Sequence, residues 1–262
     1  MAILMCRPDY FGVEYEINPW MHIHNEVDHD RAEEQWNALF DAYQELGLDV
    51  ELVEPVRGNP DMPFTANAAV VCAGKAVVSR FRHPERQSEE PFWRAALTDL
   101  GYRLSQLPDG LSFEGAGDAL FVGDRLFAGY GFRTDRETHA IVGKTLDVEV
   151  VSLQLVDPRF YHLDTCFCPL DPETVMFAPG AFAPPAARAI RKLVPHVIEV
   201  PLRLAEGFVC NAITVGDQVL SSVGVERVEG SLEKEGFYGR GLPITEFIKA
   251  GGGVRCLSLV LD

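Results

Sequence analysis

Short apolar runs recur in pairs along this chain, each pair joined through residues that favour tight turns. Residues 68–72 and 76–78 flank Gly74, and residues 119–122 and 126–127 flank Gly123-Asp124. Residues 166–169 and 174–177 flank Asp171-Pro172, while 212–215 and 219–220 flank Gly216-Asp217. Such pairs predict β-hairpins. Helical periodicity follows three of them, over 89–100, 136–145 and 184–193, and a further helix over 243–250 is assigned to the last unit. Strands follow at 148–151 and 197–200. Ahead of the first hairpin, residues 2–6 read as a strand. Residues 30–46 read as a helix with Ala32, Trp36, Leu39, Phe40 and Tyr43 on one face, and 48–53 as another strand.

The turn centres fall at 74, 123, 172 and 216, a period that signals a repeat architecture. Pairing the last strand, 255–261, with the first would make a fifth hairpin and leave no exposed edge. The pattern therefore predicts an α/β fold: a single domain over 1–262, built as a fivefold pseudo-symmetric propeller of ββαβ-type units. An open α/β sheet is the alternative.

The same period selects a set of polar residues. Asn67, Glu114, His162, Cys210 and Cys256 each stand at or just before the first strand of a hairpin, separated by 47, 48, 48 and 46 residues. Equivalent positions in a ring face the same end of its axis, so the five should meet at one mouth. A thiol, an imidazole and a carboxylate together can support nucleophilic catalysis with proton transfer. Spacing alone leaves open which cysteine attacks, although Gly251-Gly252-Gly253 ahead of Cys256 permits close approach of a ligand. Residues 8–30 lack periodicity and predict a functional loop carrying Asn18.

Composition narrows the classes. With 262 residues, 47% hydrophobic and 24% charged, the chain is ordinary globular protein. No apolar run approaches the roughly 20 residues of a membrane span, and the first residues do not read as a signal peptide. Six cysteines without a small-domain framework predict reduced thiols and a cytoplasmic location. A net charge of −16 argues against nucleic acid and favours a cationic small molecule.

Three stretches carry a family resemblance: Phe113-Glu114-Gly115-Ala116-Gly117-Asp118, His162-Leu163-Asp164-Thr165 and Gly251-Gly252-Gly253-Val254-Arg255-Cys256. They resemble the motifs of the guanidino-group-modifying pentein enzymes, which include arginine deiminases, dimethylarginine dimethylaminohydrolases, amidinotransferases and arginine dihydrolases. The resemblance implies Cys256 as nucleophile, His162 as general acid and base, and Glu114 as the carboxylate holding the guanidinium. It leaves Cys210, in Cys210-Asn211, without that role. It implies substrate contacts from Asp118 and Asp164, and places Arg86 and Arg133 on the substrate's α-carboxylate, with Arg80, Arg82 and Arg136 as nearby alternatives. Asn67, in Phe64-Thr65-Ala66-Asn67-Ala68, and Asn18, in Ile17-Asn18-Pro19-Trp20-Met21, are similar to the arginine dihydrolases. Asp164 points to an unmethylated guanidine.

The resemblance thus implies a hydrolase converting L-arginine to ornithine, ammonia and CO2 through a covalent Cys256 thiouronium, without a cofactor. Arginine deiminase, a dimethylarginine dimethylaminohydrolase-like hydrolase and an amidinotransferase are the alternatives. A propeller that only binds would lack the Glu, His and Cys set. His162, Cys166 and Cys168, like His22, His24 and His29, lack the paired spacing of a structural zinc site, so no metal is expected. A small-molecule guanidine is the expected partner, with no nucleic acid or membrane; homo-oligomerisation is left open.

Overall fold

The computed structural model describes residues 2–262. Fifteen strands form five three-stranded sheets. In chain order they are β1 (Ala2–Cys6), β2 (Asp49–Val53), β3 (Ala69–Cys72), β4 (Lys75–Val78), β5 (Arg103–Ser105), β6 (Ala119–Val122), β7 (Arg125–Tyr130) and β8 (Glu149–Gln154). Then come β9 (Phe167–Pro169), β10 (Thr174–Phe177), β11 (His196–Glu199), β12 (Ile213–Val215), β13 (Gln218–Ser222), β14 (Tyr238–Leu242) and β15 (Leu259–Leu261).

Every sheet has one plan. Its first strand is antiparallel to the second, and the second is parallel to the third. Antiparallel neighbours need only a tight turn, whereas the parallel pair requires a crossover, which helices supply. At Ala73-Gly74 both turn residues have positive φ, 50° and 69°, the twist that suits a two-residue hairpin. The inner strands pack side by side round the axis, β15 against β3, β6 against β9, and β9 against β12.

The predicted closure is present. β15 pairs antiparallel with β1, Ile3 opposite Val260, so the two ends of the chain complete one sheet. The crossover in that sheet is the helix His29–Glu45, which buries Ala32, Trp36, Leu39, Ala42 and Tyr43 on one stripe. Asp28 caps its start by accepting from the Arg31 amide, and Gly47 ends it at φ 75°.

Three predicted features differ. The third strands β5 and β14 went unread because neither carries a β-branched apolar run; β14 is Tyr-Gly-Arg-Gly-Leu. The 243–250 segment holds one helical turn, Thr245–Ile248, which follows β14 and packs on the helix His29–Glu45. The fourth internal unit instead crosses over through the short helix Glu229–Leu232 and flanking 3-10 turns. The last strand begins at Leu259, not Arg255, because residues 255–257 are held in a turn.

That turn is stitched to the first internal unit by Thr65. Its hydroxyl donates to the Leu4 carbonyl at 2.8 Å and accepts from the Leu259 amide at 3.1 Å, all buried. The amide of Ala66 donates to the Cys256 carbonyl at 3.1 Å. Thr65→Val keeps the shape and leaves two buried backbone groups without partners, a loss of about 1–3 kcal/mol. Urea unfolding should show a lower midpoint at unchanged slope; an unchanged midpoint would mean that the closure does not depend on this hydroxyl.

Candidate active site

The five residues picked out by spacing lie on the short segments that enter the inner strands. Asn67 is on the 3-10 turn Thr65–Ala68, Glu114 precedes the helical turn Gly115–Asp118, and His162 precedes the turn Leu163–Thr165. Gly115 and Gly117 are required there. Gly115 has φ 58° and packs on the Ala69 backbone, while a Cβ on Gly117 would lie 2.3 Å from Asn67 Nδ2 and 3.3 Å from His162 Nδ1.

Glu114 is fully buried and shared. Its Oε2 lies 2.7 Å from His162 Nε2 and accepts from Arg133 Nη1 at 2.9 Å. Burial alone would raise its pKa, but the Arg133 charge and the His162 hydrogen bond outweigh burial and hold the carboxyl well below the usual range. Glu114 is therefore an anion at any physiological pH. The imidazole stacks obliquely on Tyr161, whose hydroxyl donates to the Gly251 carbonyl at 2.6 Å.

Cys256 is 2% exposed, and its sulfur has two side-chain polar partners beside the Gly253 amide. The thiol donates to Asp164 Oδ2 at 3.2 Å, and Asn211 Nδ2 donates to the sulfur at 3.0 Å. Burial first, and the neighbouring Asp164 charge second, push the thiol well above its ordinary pKa. Burial likewise raises Asp164 to about 7, opposed by its hydrogen bond from Cys256. Asp118, whose Oδ1 accepts from the Leu163 amide at 3.0 Å, is raised to about 6 by burial, and so is Asp61.

The arginines are placed differently from each other. Arg86 stacks on Phe81 and gives its fork to Glu89, at 2.7 and 2.8 Å, with Nη1 donating to Asn67 Oδ1 at 2.8 Å. Its donors are largely committed within the protein. Arg133 lies over the Tyr161 ring at 4.6 Å, between Glu114 and the Ile17 carbonyl. Of the alternatives, Arg82 binds Asp135 and Arg80 binds Asp109 near the surface, outside the residues lining the site.

The loop over 8–28 closes the mouth. Asn18 accepts from the amides of Trp20 and Met21 and donates to the Ala250 carbonyl at 3.0 Å. Ile17, Asn18 and Met21 line the space above Cys256 together with Phe64, Arg133 and Tyr161, and that space measures only about 10 Å³. It holds about one water. A ligand the size of an amino acid enters only when Arg133 and the loop give way.

Unsatisfied polar atoms lie around this space, which Asp61 and Asn67 line and whose Cys256 sulfur Asp164 touches. Among the described residues, buried side-chain atoms without a hydrogen-bond partner include Asp61 Oδ1, Asp118 Oδ2, Asp164 Oδ1 and Asn67 Nδ2. Three of the four are carboxylate oxygens, an arrangement that fits a ligand rich in N–H donors and bearing positive charge.

Cys210 is fully buried, packs in the core with Cys166 and Val209, and has a thiol pushed up by burial. His22 and His24 are exposed on the loop and His29 is exposed at the start of the following helix, and the thiols of Cys166 and Cys168 face backbone carbonyls. Among the described residues no group of three or more His, Cys, Asp or Glu side chains is placed to hold a metal ion. No helix among them is long and apolar enough to cross a membrane. Sequence reasoning did not find Tyr161, Asp61, Glu89 or the contacts of Asn211. Tyr161 and Asn211 adjoin selected positions, a signal that was there; Asp61 and Glu89 have none.

Comparison with known proteins agrees with this geometry. A family model described as N,N dimethylarginine dimethylhydrolase, eukaryotic, matches residues 7–260. The bifunctional arginine dihydrolase/ornithine cyclodeaminase ArgZ of Synechocystis is 46% identical over 99% of this chain, which spans 37% of that protein's length. The N(G),N(G)-dimethylarginine dimethylaminohydrolase of Mycobacterium tuberculosis is 42% identical over 97% of this chain and 84% of its own. Among solved structures, a cysteine-to-serine mutant of the N-terminal domain of ArgZ, bound to substrate, superposes with a TM-score of 0.95 at 45% identity, covering 98% of this chain and 97% of that one. On its sequence, its five-unit fold and its relatives, this chain belongs to the N,N-dimethylarginine dimethylhydrolase family of the guanidino-group-modifying pentein superfamily.

Proposed function

We propose that this protein is a hydrolase of guanidine C–N bonds that converts L-arginine to ornithine, two ammonia molecules and carbon dioxide. The observation that carries this reading is the buried thiol of Cys256 held against Asp164, beside unsatisfied carboxylate oxygens and the Glu114–His162 pair. The likeness to ArgZ supports it, since its N-terminal domain is described as an arginine dihydrolase and is known with a covalently bound reaction intermediate.

The chemistry runs in two half-cycles. A guanidinium displaces Arg133 from Glu114 and takes the hydrogen bonds that Glu114, Asp118 and Asp164 can accept. Its charge favours the Cys256 thiolate and frees Asp164 from the thiol hydrogen. The thiolate adds to the guanidinium carbon. His162, held by Glu114, gives a proton to the departing nitrogen, which leaves as ammonia, and a thiouronium remains on sulfur. His162 then takes a proton from water as its oxygen adds to that carbon; the C–S bond breaks, releasing citrulline and the thiolate. In the second cycle the thiolate adds to the ureido carbon, and ammonia leaves to give an S-carbamoyl enzyme. Water then releases the thiolate and the N-carboxylated ornithine, whose C–N bond breaks to give ornithine and CO2. Asn67 matters there, because its unpartnered Nδ2 can donate to a ureido oxygen, which a carboxylate in its place cannot. Arg133, once released from Glu114, is the arginine with a fork to offer the α-carboxylate, while Arg86 holds Asn67 in place and Asn18 holds the loop over the site.

A second reading is hydrolysis of dimethylarginine, favoured by the 42% identical M. tuberculosis relative and by the family model. The chemistry is the same with dimethylamine as leaving group. Asp164 Oδ1 argues for the unmethylated substrate, because a buried acceptor is satisfied by N–H and not by methyl.

Incubation with L-arginine and amino-acid analysis should yield ornithine with two equivalents of ammonia. Cys256→Ser should abolish turnover, and Asn67→Asp should stop at citrulline. Turnover by the serine variant sinks the covalent scheme; turnover of dimethylarginine alone selects the second reading. A proton measurement gives independent access. Asp164 takes up its proton in the free protein with a pKa of about 7, and a bound cation lowers it. Arginine binding to the Cys256→Ser variant near pH 6.5 should therefore release protons, detected calorimetrically in buffers of different ionisation enthalpy. The release should fall in Asp164→Asn to the smaller share from Asp118 and Asp61, and the affinity should rise with pH towards 7; binding without proton exchange contradicts a protonated Asp164.

A further inference from the structure

The amide of Asn211 is fully buried and makes a hydrogen bond with every donor and acceptor it has. Its Oδ1 accepts from the backbone amides of Arg255 at 2.9 Å and Cys256 at 3.2 Å. Its Nδ2 donates to the Asp164 carbonyl at 3.0 Å and to Cys256 Sγ at 3.0 Å. A flipped amide would set its oxygen against a carbonyl and the sulfur, and its NH2 against two N–H groups, so the orientation is fixed. Gly253 allows this approach: a Cβ there would lie 2.6 Å from Asn211 Oδ1.

The two partners of the sulfur have opposite preferences. Asp164 Oδ2 accepts from the thiol and favours its protonated form. An amide N–H is a donor whose bond strengthens when the sulfur carries charge. Asn211 is the side-chain donor to Sγ, beside the backbone amide of Gly253. From this placement we infer that Asn211 is a catalytic residue that holds Cys256 as a thiolate, while its carbonyl oxygen fixes the turn presenting the sulfur. The inference rests on Cys256 being the nucleophile and adds the group that stabilises its charge after Asp164 turns to the substrate.

The two roles of Asn211 separate by substitution. Asn211→Asp keeps an oxygen for the two backbone amides and removes the donated N–H from the sulfur. Asn211→Ser keeps a small hydroxyl donor at reduced reach. The readout is the rate of alkylation of Cys256 by iodoacetamide between pH 6 and pH 10, assigned to that residue by mass spectrometry, on protein with native near-ultraviolet circular dichroism. The rate at pH 8 should fall at least tenfold in Asn211→Asp and less in Asn211→Ser, with the rise in rate displaced to higher pH. In turnover kcat should fall in parallel with KM little changed. Wild-type alkylation profiles in both variants would overturn the inference. If Asn211→Asp does not fold, the profile of Asn211→Ser decides on the same criterion. Alkylation requires no substrate, so an Asn211-dependent profile in a protein inert towards arginine would sink the proposed function and leave this inference standing.

Discussion

Charge imbalance inside the mouth of the propeller governs the rest of the site. Asp61, Glu89, Glu114, Asp118 and Asp164 are buried; Arg86 pairs with Asp61 and Glu89, Arg133 pairs with Glu114, and Asp118 and Asp164 have no ion-pair partner among the described residues. A buried carboxylate is costly unless paired. Glu114 is closely paired and stays ionised, whereas Asp61, which Arg86 meets only at 3.7 Å, and the unpaired Asp118 and Asp164 retain an unsatisfied oxygen each and are pushed towards protonation. The protein tolerates this because five units close on one another and hold the short segments rigidly. A guanidinium corrects the imbalance, supplying positive charge and a fan of N–H donors where acceptors lack them. Recognition and activation thus share one origin, since the cation that satisfies Asp164 also removes its claim on the Cys256 proton.

Much of this was legible in the chain. Equal spacing of Asn67, Glu114, His162, Cys210 and Cys256 depends on the repeat, and the repeat is written in hairpin turns that need Gly or Asp. The closure of β15 on β1 followed from an unpaired strand at each end. The resemblance chose Cys256 over Cys210; in the structure Cys210 packs in the core while its neighbour Asn211 contacts the Cys256 sulfur.

What escaped the sequence has physical reasons. Third strands such as β14 lie at the outer edge of their sheets, where half-exposed Tyr, Gly and Arg carry no period of two. The single helical turn Thr245–Ile248 imitates a unit's helix in pattern but serves to pack against the helix His29–Glu45. Arg86 and Arg133 both line the space above Cys256. The pairing of Arg133 with Glu114 joins residues 19 apart and leaves no periodic trace, whereas Arg86 and Glu89 stand three residues apart, a local spacing that the sequence offered.

The closed mouth has a consequence for the chemical durability of the enzyme. A low-pKa, open thiolate is what peroxides and stray electrophiles attack. Here the sulfur lies beneath Ile17, Met21 and Arg133 in a space of about 10 Å³, with its proton held by Asp164. Arg133 resting on Glu114 acts as the molecule's own stand-in for a guanidinium, filling the site while no substrate is there. The fold thereby shields the sulfur and keeps its proton beside Asp164, so that attack by stray electrophiles is slowed.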